Sequence, residues 1–149
     1  MAGKNDGIEV DFGILPNLIG YQVRMTQIAI FRDFSAALAE HEITPTQFGT
    51  LVIIDANPGV KQSELAAAIQ LDRSSVVSLI DRMEREGYVK RTRVESDRRA
   101  NALSLTREGV KLLSIIKPLV KRHEQRLLKR LSANERSQLT LLLGRLLAE

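Results

Sequence analysis

Between Ser63 and Gly109 a helix-turn-helix pattern runs without a break into a basic, glycine-free hairpin that closes on ESDRRANALSLTREG. A helix able to enter a DNA groove is thus followed by a ribbon carrying Arg91, Arg93, Arg98 and Arg99. Few small domains other than a winged helix-turn-helix combine these parts in this order. The expected fold is mainly α with a small two-stranded β wing: a winged helix-turn-helix plus a helical dimerisation region.

Punctuation divides the rest of the chain. Residues 1–14 open with the polar, acidic MAGKNDGIEVDFG and read as a disordered tail. Pro16 and Asn17 start a segment reaching Glu40 with no internal proline. Within it Leu18, Tyr21, Met25, Ile28, Phe31 and Leu38 recur at helical spacings, and Ile19, Val23, Ile30 and Phe34 widen the apolar stripe. A helix apolar on two sides points to a subunit interface as well as the chain's own core; packing within one chain is the alternative. Thr44-Pro45-Thr46-Gln47 is a capping box opening a helix that turns Phe48, Leu51, Val52 and Ile54 inward and ends at Asn57-Pro58-Gly59. The helix from about Gln62 to Ile69 is short and packs through Leu65, Ala66 and Ile69. After a turn at Gln70-Leu71, Asp72 caps the next helix, which stops at Gly87.

Tyr88–Arg93 then alternates as a strand, Ala102–Leu105 alternates back, and ESDRRAN between them reads as a turn. Thr106 caps a helix carrying Leu112, Leu113, Ile116, Leu119, Val120 and Leu127, with a kink expected at Pro118. Ser132-Ala133-Asn134-Glu135 is a second capping box, and the helix it opens holds Leu139, Leu142, Leu143, Leu146 and Leu147. That helix is too apolar to stand alone. Residues 15–40 and 106–149 therefore read as the dimerisation region and 41–105 as the DNA-binding lobe, in one compact unit.

Composition narrows the function. The chain has 149 residues, 44% of them hydrophobic and 27% charged, and no apolar run near the length of a membrane span. The N-terminus lacks the pattern of a secretory signal, so a cytoplasmic location and no membrane partner are expected. With no cysteine and only His41 and His123, thiol chemistry is excluded and neither a metal site nor a cofactor is expected. No nucleophile elbow, phosphate-binding glycine loop or zinc-protease motif is present, and catalysis is not expected. The net charge of +4 is modest, but between Arg85 and Arg99 six Lys/Arg face three Asp/Glu.

In the helix after Asp72 the core positions fall among Val76, Val77, Leu79, Ile80 and Met83. Arg73, Ser74, Ser75, Ser78 and Arg82 share its polar side. Serine bonds any base or phosphate and arginine reads guanine bidentately, so these five are candidate DNA contacts. Arg73 and Ser78 are the stronger two, because Ser74 and Ser75 also suit capping. Arg91, Arg93, Arg98 and Arg99 are the wing candidates, a tip arginine being suited to a narrow minor groove. Asp97 would orient Arg99, since a fixed guanidinium loses less entropy on binding.

The run LDRSSVVSLIDRMEREGYVKR, the Asp97-Arg98-Arg99 tip and the closing LTREG resemble the MarR family of bacterial transcriptional regulators, and the order of elements matches over nearly the whole chain. The resemblance implies a triangular homodimer with interlocked terminal helices that binds a pseudo-palindromic double-stranded DNA operator, usually as a repressor released by a small ligand. It implies that Arg99 enters the minor groove and that Asp72 is a helix-capping acid able to pair with it. One departure is Lys61, where many members have a capping Thr or Ser; the loss is about 1 kcal/mol unless Ser63 substitutes. The family's ligand cleft lies between the first helix, the lobe and the C-terminal helices. Tyr21, Arg24, Phe31, Arg32, Phe34, His41 and Phe48 fall in segments that could line it, and Arg or His among aromatics would suit an aromatic carboxylate or its thioester. For each of them a place in the core or at the solvated surface is the competing reading. The absent cysteines argue against peroxide-sensing members and the sparse histidines against zinc-sensing ones. A winged helix kept as a protein-interaction module is the rival function; it would not need the six arginines at 73, 82, 91, 93, 98 and 99.

Overall fold

The computed structural model describes residues 10–94 and 97–148, with the backbone alone at Val94 and at 97–100. Residues 1–9 of the expected tail lie outside the described residues. Gly13 and Ile14 form a turn, with the Gly13 N–H donating to Asp11 Oδ1 at 2.9 Å and the Phe12 ring 6.4 Å from Tyr21. A short 3-10 turn, Leu15–Asn17, leads into α1 (Ile19–Ala37). The helical segment stops at Ala37 rather than Glu40, and Ala39–His41 tightens into a second 3-10 turn.

Next come α2 (Pro45–Ala56), β1 (Val60–Lys61), α3 (Gln62–Ile69), α4 (Arg73–Arg85), β2 (Val89–Val94), β3 (Asp97–Leu105), α5 (Arg107–Leu127) and α6 (Ala133–Leu147). The sheet has three antiparallel strands in the order β1-β3-β2, not two. The extra strand pairs Val60 with Leu103 and Lys61 with Ala102, two residues too few to show any alternation in sequence. The polar stretch expected as a turn is mostly strand: β3 begins at Asp97, and a register irregularity falls at Arg93/Val94.

The caps form where the residue types demand. Gln47 N–H donates to Thr44 Oγ1 and Thr44 N–H to Gln47 Oε1, and Ser132 and Glu135 exchange the same pair of bonds. At α3 neither Lys61 nor Ser63 caps; Glu64 accepts from the Lys61 N–H at 2.9 Å, supplying half a box from the other end. Helix α4 ends in a left-handed glycine, Gly87 (φ +80°), with Tyr88 N–H donating to the Met83 carbonyl and Gly87 N–H to that of Glu84.

Thr106 welds the sheet to α5. Its N–H donates to the Tyr88 carbonyl at 3.0 Å, its hydroxyl to the Gly87 carbonyl at 2.5 Å, and the same oxygen caps Gly109 N–H. A β-carbon at Gly109 would run into the Tyr88 carbonyl oxygen, which explains why the LTREG motif needs glycine. Helix α5 continues as one element through Pro118.

One core joins the parts. Leu51 and Ile54 of α2, Leu65 of α3, Val76, Ile80 and Met83 of α4, Val89 and Leu103 of the sheet, and Leu113 and Ile116 of α5 are buried together. Phe34 and Leu38 attach the end of α1 to it. Among the described residues no helix is long and apolar enough to cross a membrane.

Candidate nucleic-acid interface

Helix α4 presents one face to the core and the other to solvent. Asp72 Oδ1 accepts from Ser75 N–H at 3.0 Å, and the hydroxyls of Ser74 and Ser75 both donate to the same carboxylate at 2.5 Å. These bonds, Ser74's first, hold the Asp72 carboxyl well below the usual carboxylate range, an anion fixed at the positive end of the helix. Ser74 and Ser75 are thus engaged in capping, while Arg73 and Ser78 lie exposed. Of the five apolar residues among which the core positions were expected, Val76, Ile80 and Met83 are buried and Leu79 is partly covered. Val77 is 43% exposed, on the solvent side with Ser74 and Ser78. Arg82 Nε donates to Glu86 Oε1 at 2.8 Å, one turn on.

Arg91 occupies a different position from the other arginines. Its side chain is only 20% exposed and reaches from β2 into the seam between α3 and α4. One guanidinium nitrogen is 2.6 Å from Asp81 Oδ1 and another donates to Glu84 Oε2 at 2.8 Å, while Nε donates to Gln62 Oε1 at 3.2 Å. The Val77 carbonyl accepts from it as well, at 3.4 Å. These contacts tie the first wing strand to the exposed helix. Arg93 is exposed further along β2, and Asp97, Arg98 and Arg99 are in the first turnward residues of β3, where the backbone alone is described.

The seven residues expected near a ligand cleft are not gathered at one place. Phe34 is in the core, its ring 5.9 Å from Phe48 and 5.6 Å from the imidazole of His123. Tyr21 packs toward Phe12, Arg24 and Arg32 are exposed, and His41 sits in the turn after α1. Phe31 faces a separate groove of about 510 Å³ between α1 and α6, walled by Ile19, Val23, Ile30, Leu139, Leu142 and Leu146 among others. A residue the sequence left without a role is His123 of α5. It is 3% exposed, and its Nε2 lies 3.1 Å from Asp33 Oδ2 of α1, in close polar contact but without hydrogen-bond alignment. Histidine and aspartate 90 residues apart carry no local signal of this pairing.

Comparison with known proteins agrees with this arrangement. The family model described as the MarR family matches residues 43–100. A protein of Thauera aromatica described as a transcriptional regulator for the hcr operon is 38% identical over 144 residues, which is 96% of this chain and 87% of that one. The transcriptional repressor CouR bound to a 23-mer DNA duplex is 37% identical with a TM-score of 0.88, over 95% of this chain and all of that one. CouR bound to p-coumaroyl-CoA is 35% identical with the same TM-score, over 95% of this chain and 99% of that one. With its lobe, wing and terminal helices all matched, the chain belongs to the MarR family of winged helix-turn-helix transcriptional regulators.

Proposed function

We propose that this regulator is a repressor that binds a pseudo-palindromic operator as a homodimer and is released by a small aromatic carboxylate or its thioester. The observation that carries the DNA-binding part is the solvent face of α4, where Arg73 and Ser78 stand exposed beside a wing strand that Arg91 locks to the same helix. Arg73, Ser78 and the capped serines Ser74 and Ser75 would meet the major groove, with Arg82 near the backbone. Arg93, Arg98 and Arg99 would follow the phosphates into the minor groove, with Asp97 and Asp72 orienting Arg99. Arg91 acts in this reading by positioning, since its charge is already matched by Asp81 and Glu84.

Dimerisation is supported by what α1 and α6 leave uncovered. Ile19, Val23, Leu141, Leu142 and Leu146 are about half to two-thirds exposed, and each would gain roughly 1–2 kcal/mol on full burial. The DNA and thioester complexes of CouR support the operator and effector classes. Anisotropy titration against DNA upstream of the protein's own gene, with scrambled competitor and at two salt concentrations, tests the reading. Tight competitor-resistant binding is expected, with two half-sites ~10 bp apart in a footprint and release by aromatic acids or their thioesters. Arg99→Ala should weaken binding by roughly 1–3 kcal/mol. Equal affinity for scrambled DNA would sink the reading in favour of the interaction module.

A further inference from the structure

Val77 stands on the solvent face of α4 although the helix buries three other apolar residues efficiently. It is the fifth of thirteen helical residues, with Ser74 one turn before it, Ser78 beside it and Asp81 one turn after. A single exposed valine on a protein surface ordinarily needs no explanation. Here its surroundings supply one. The side chains around it are polar, and the backbone beneath it is pinned. Arg91 donates to Val77's own carbonyl and pairs with Asp81, while Ser74 is held by Asp72. A stiff β-branched side chain therefore projects at a fixed angle from the N-terminal half of the helix, the part that meets base edges. In the major groove the apolar group on a base edge is the 5-methyl of thymine, and an apolar side chain is the partner that discriminates it.

Resting on the operator-binding reading, we infer that Val77 is a specificity-determining residue that packs its methyl groups against a thymine 5-methyl in each half-site. The contact is an apolar one: it adds no charge neutralisation, so it leaves the salt dependence of binding unaltered. Loss of a buried methyl contact reduces affinity about fourfold, and about fifteenfold when both half-sites lose it.

The test uses the full-length protein, its operator duplex, and a set of duplexes in which each symmetric pair of thymines is replaced by uracil, which lacks only that methyl. With the wild-type protein, one pair should show the roughly fifteenfold loss at unchanged salt slope. In Val77→Ala the operator itself should bind about as weakly as that uracil duplex does to the wild type, and the same replacement should then change affinity less than twofold. Val77→Thr, which keeps the shape and exchanges one methyl for a hydroxyl, should fall between. Specific operator binding with no uracil pair whose effect depends on residue 77 overturns the inference while leaving the regulator intact. Failure of the wild type to prefer operator over scrambled duplex overturns both.

Discussion

Helices α4 and α6 are opened by the same chemistry, side-chain caps at Asp72 and Ser132, and both carry apolar residues at helical spacing. Yet α4 buries Val76, Ile80 and Met83, whereas α6 buries none of its leucines, and Leu146 remains 66% exposed. The lobe completes its own core because α2, α3, the sheet and α5 surround α4. Helix α6 faces α1 across an apolar groove. One region is covered within the chain and the other leaves its apolar face open. A helical pattern in sequence therefore does not say whether its apolar face is satisfied at home.

The largest expected effect separates the two regions. Charging the open face with Leu142→Glu and Leu146→Glu should abolish dimerisation, read by sedimentation, while the lobe stays folded by circular dichroism. Unfolding of the whole chain would mean that α6 belongs to the lobe's core after all. Gly109→Ala attacks the covered region. It forces a β-carbon into the Tyr88 carbonyl, and a loss of about 3 kcal/mol or more is expected in denaturant unfolding, because backbone cannot yield as a side chain can. A loss under about 0.5 kcal/mol, the range of ordinary surface changes, would show that the junction is looser than it stands.

Arg91→Ala should be milder, at roughly 1–3 kcal/mol, for it leaves Asp81 and Glu84 half-exposed rather than stranded. It should reduce operator affinity with little change in the salt slope, whereas a slope reduced by about one would make Arg91 a phosphate contact instead. The smallest effect concerns acid. Asp72's carboxyl is depressed in the folded lobe, so its stabilisation is complete above the ordinary aspartate range, declines as pH falls below that range, and is gone once pH passes the depressed native value. Asp72→Ala should flatten that part of the acid-unfolding curve; an unchanged acid limb would remove the cap from the pH response. Glu135 of α6 is shifted the same way by Ser132, so acid weakens the entry of both helices.

Much of the fold could be read in advance, and the exceptions share a cause. Caps at Thr44, Asp72, Thr106 and Ser132, and the stop at Gly87, involve partners three or four residues away, and all are where the residue types place them. Strand β1 escaped because it is made by Leu103 and Ala102, some forty residues on. The site divides similarly. The exposed placement of Arg73 and Ser78 followed from helical periodicity, but the fate of Arg91 did not, since Asp81, Glu84 and Gln62 reach it only once β2 lies against α3 and α4. The ligand-cleft residues were chosen by type and segment, and type alone did not tell that Phe34 and Phe48 would close on each other in the core.

The amino-acid sequence by itself determined the order of elements, their capped ends and the concentration of arginine after Gly87, because these depend on short-range hydrogen bonds, backbone preferences and covalent order. Only the tertiary structure decided which apolar residues are covered, which arginine is spent on the lobe, and that His123 meets Asp33. Burial and ion pairing are set by what lies across the gap, and a position's neighbours across that gap are assembled by folding, not by adjacency in the chain.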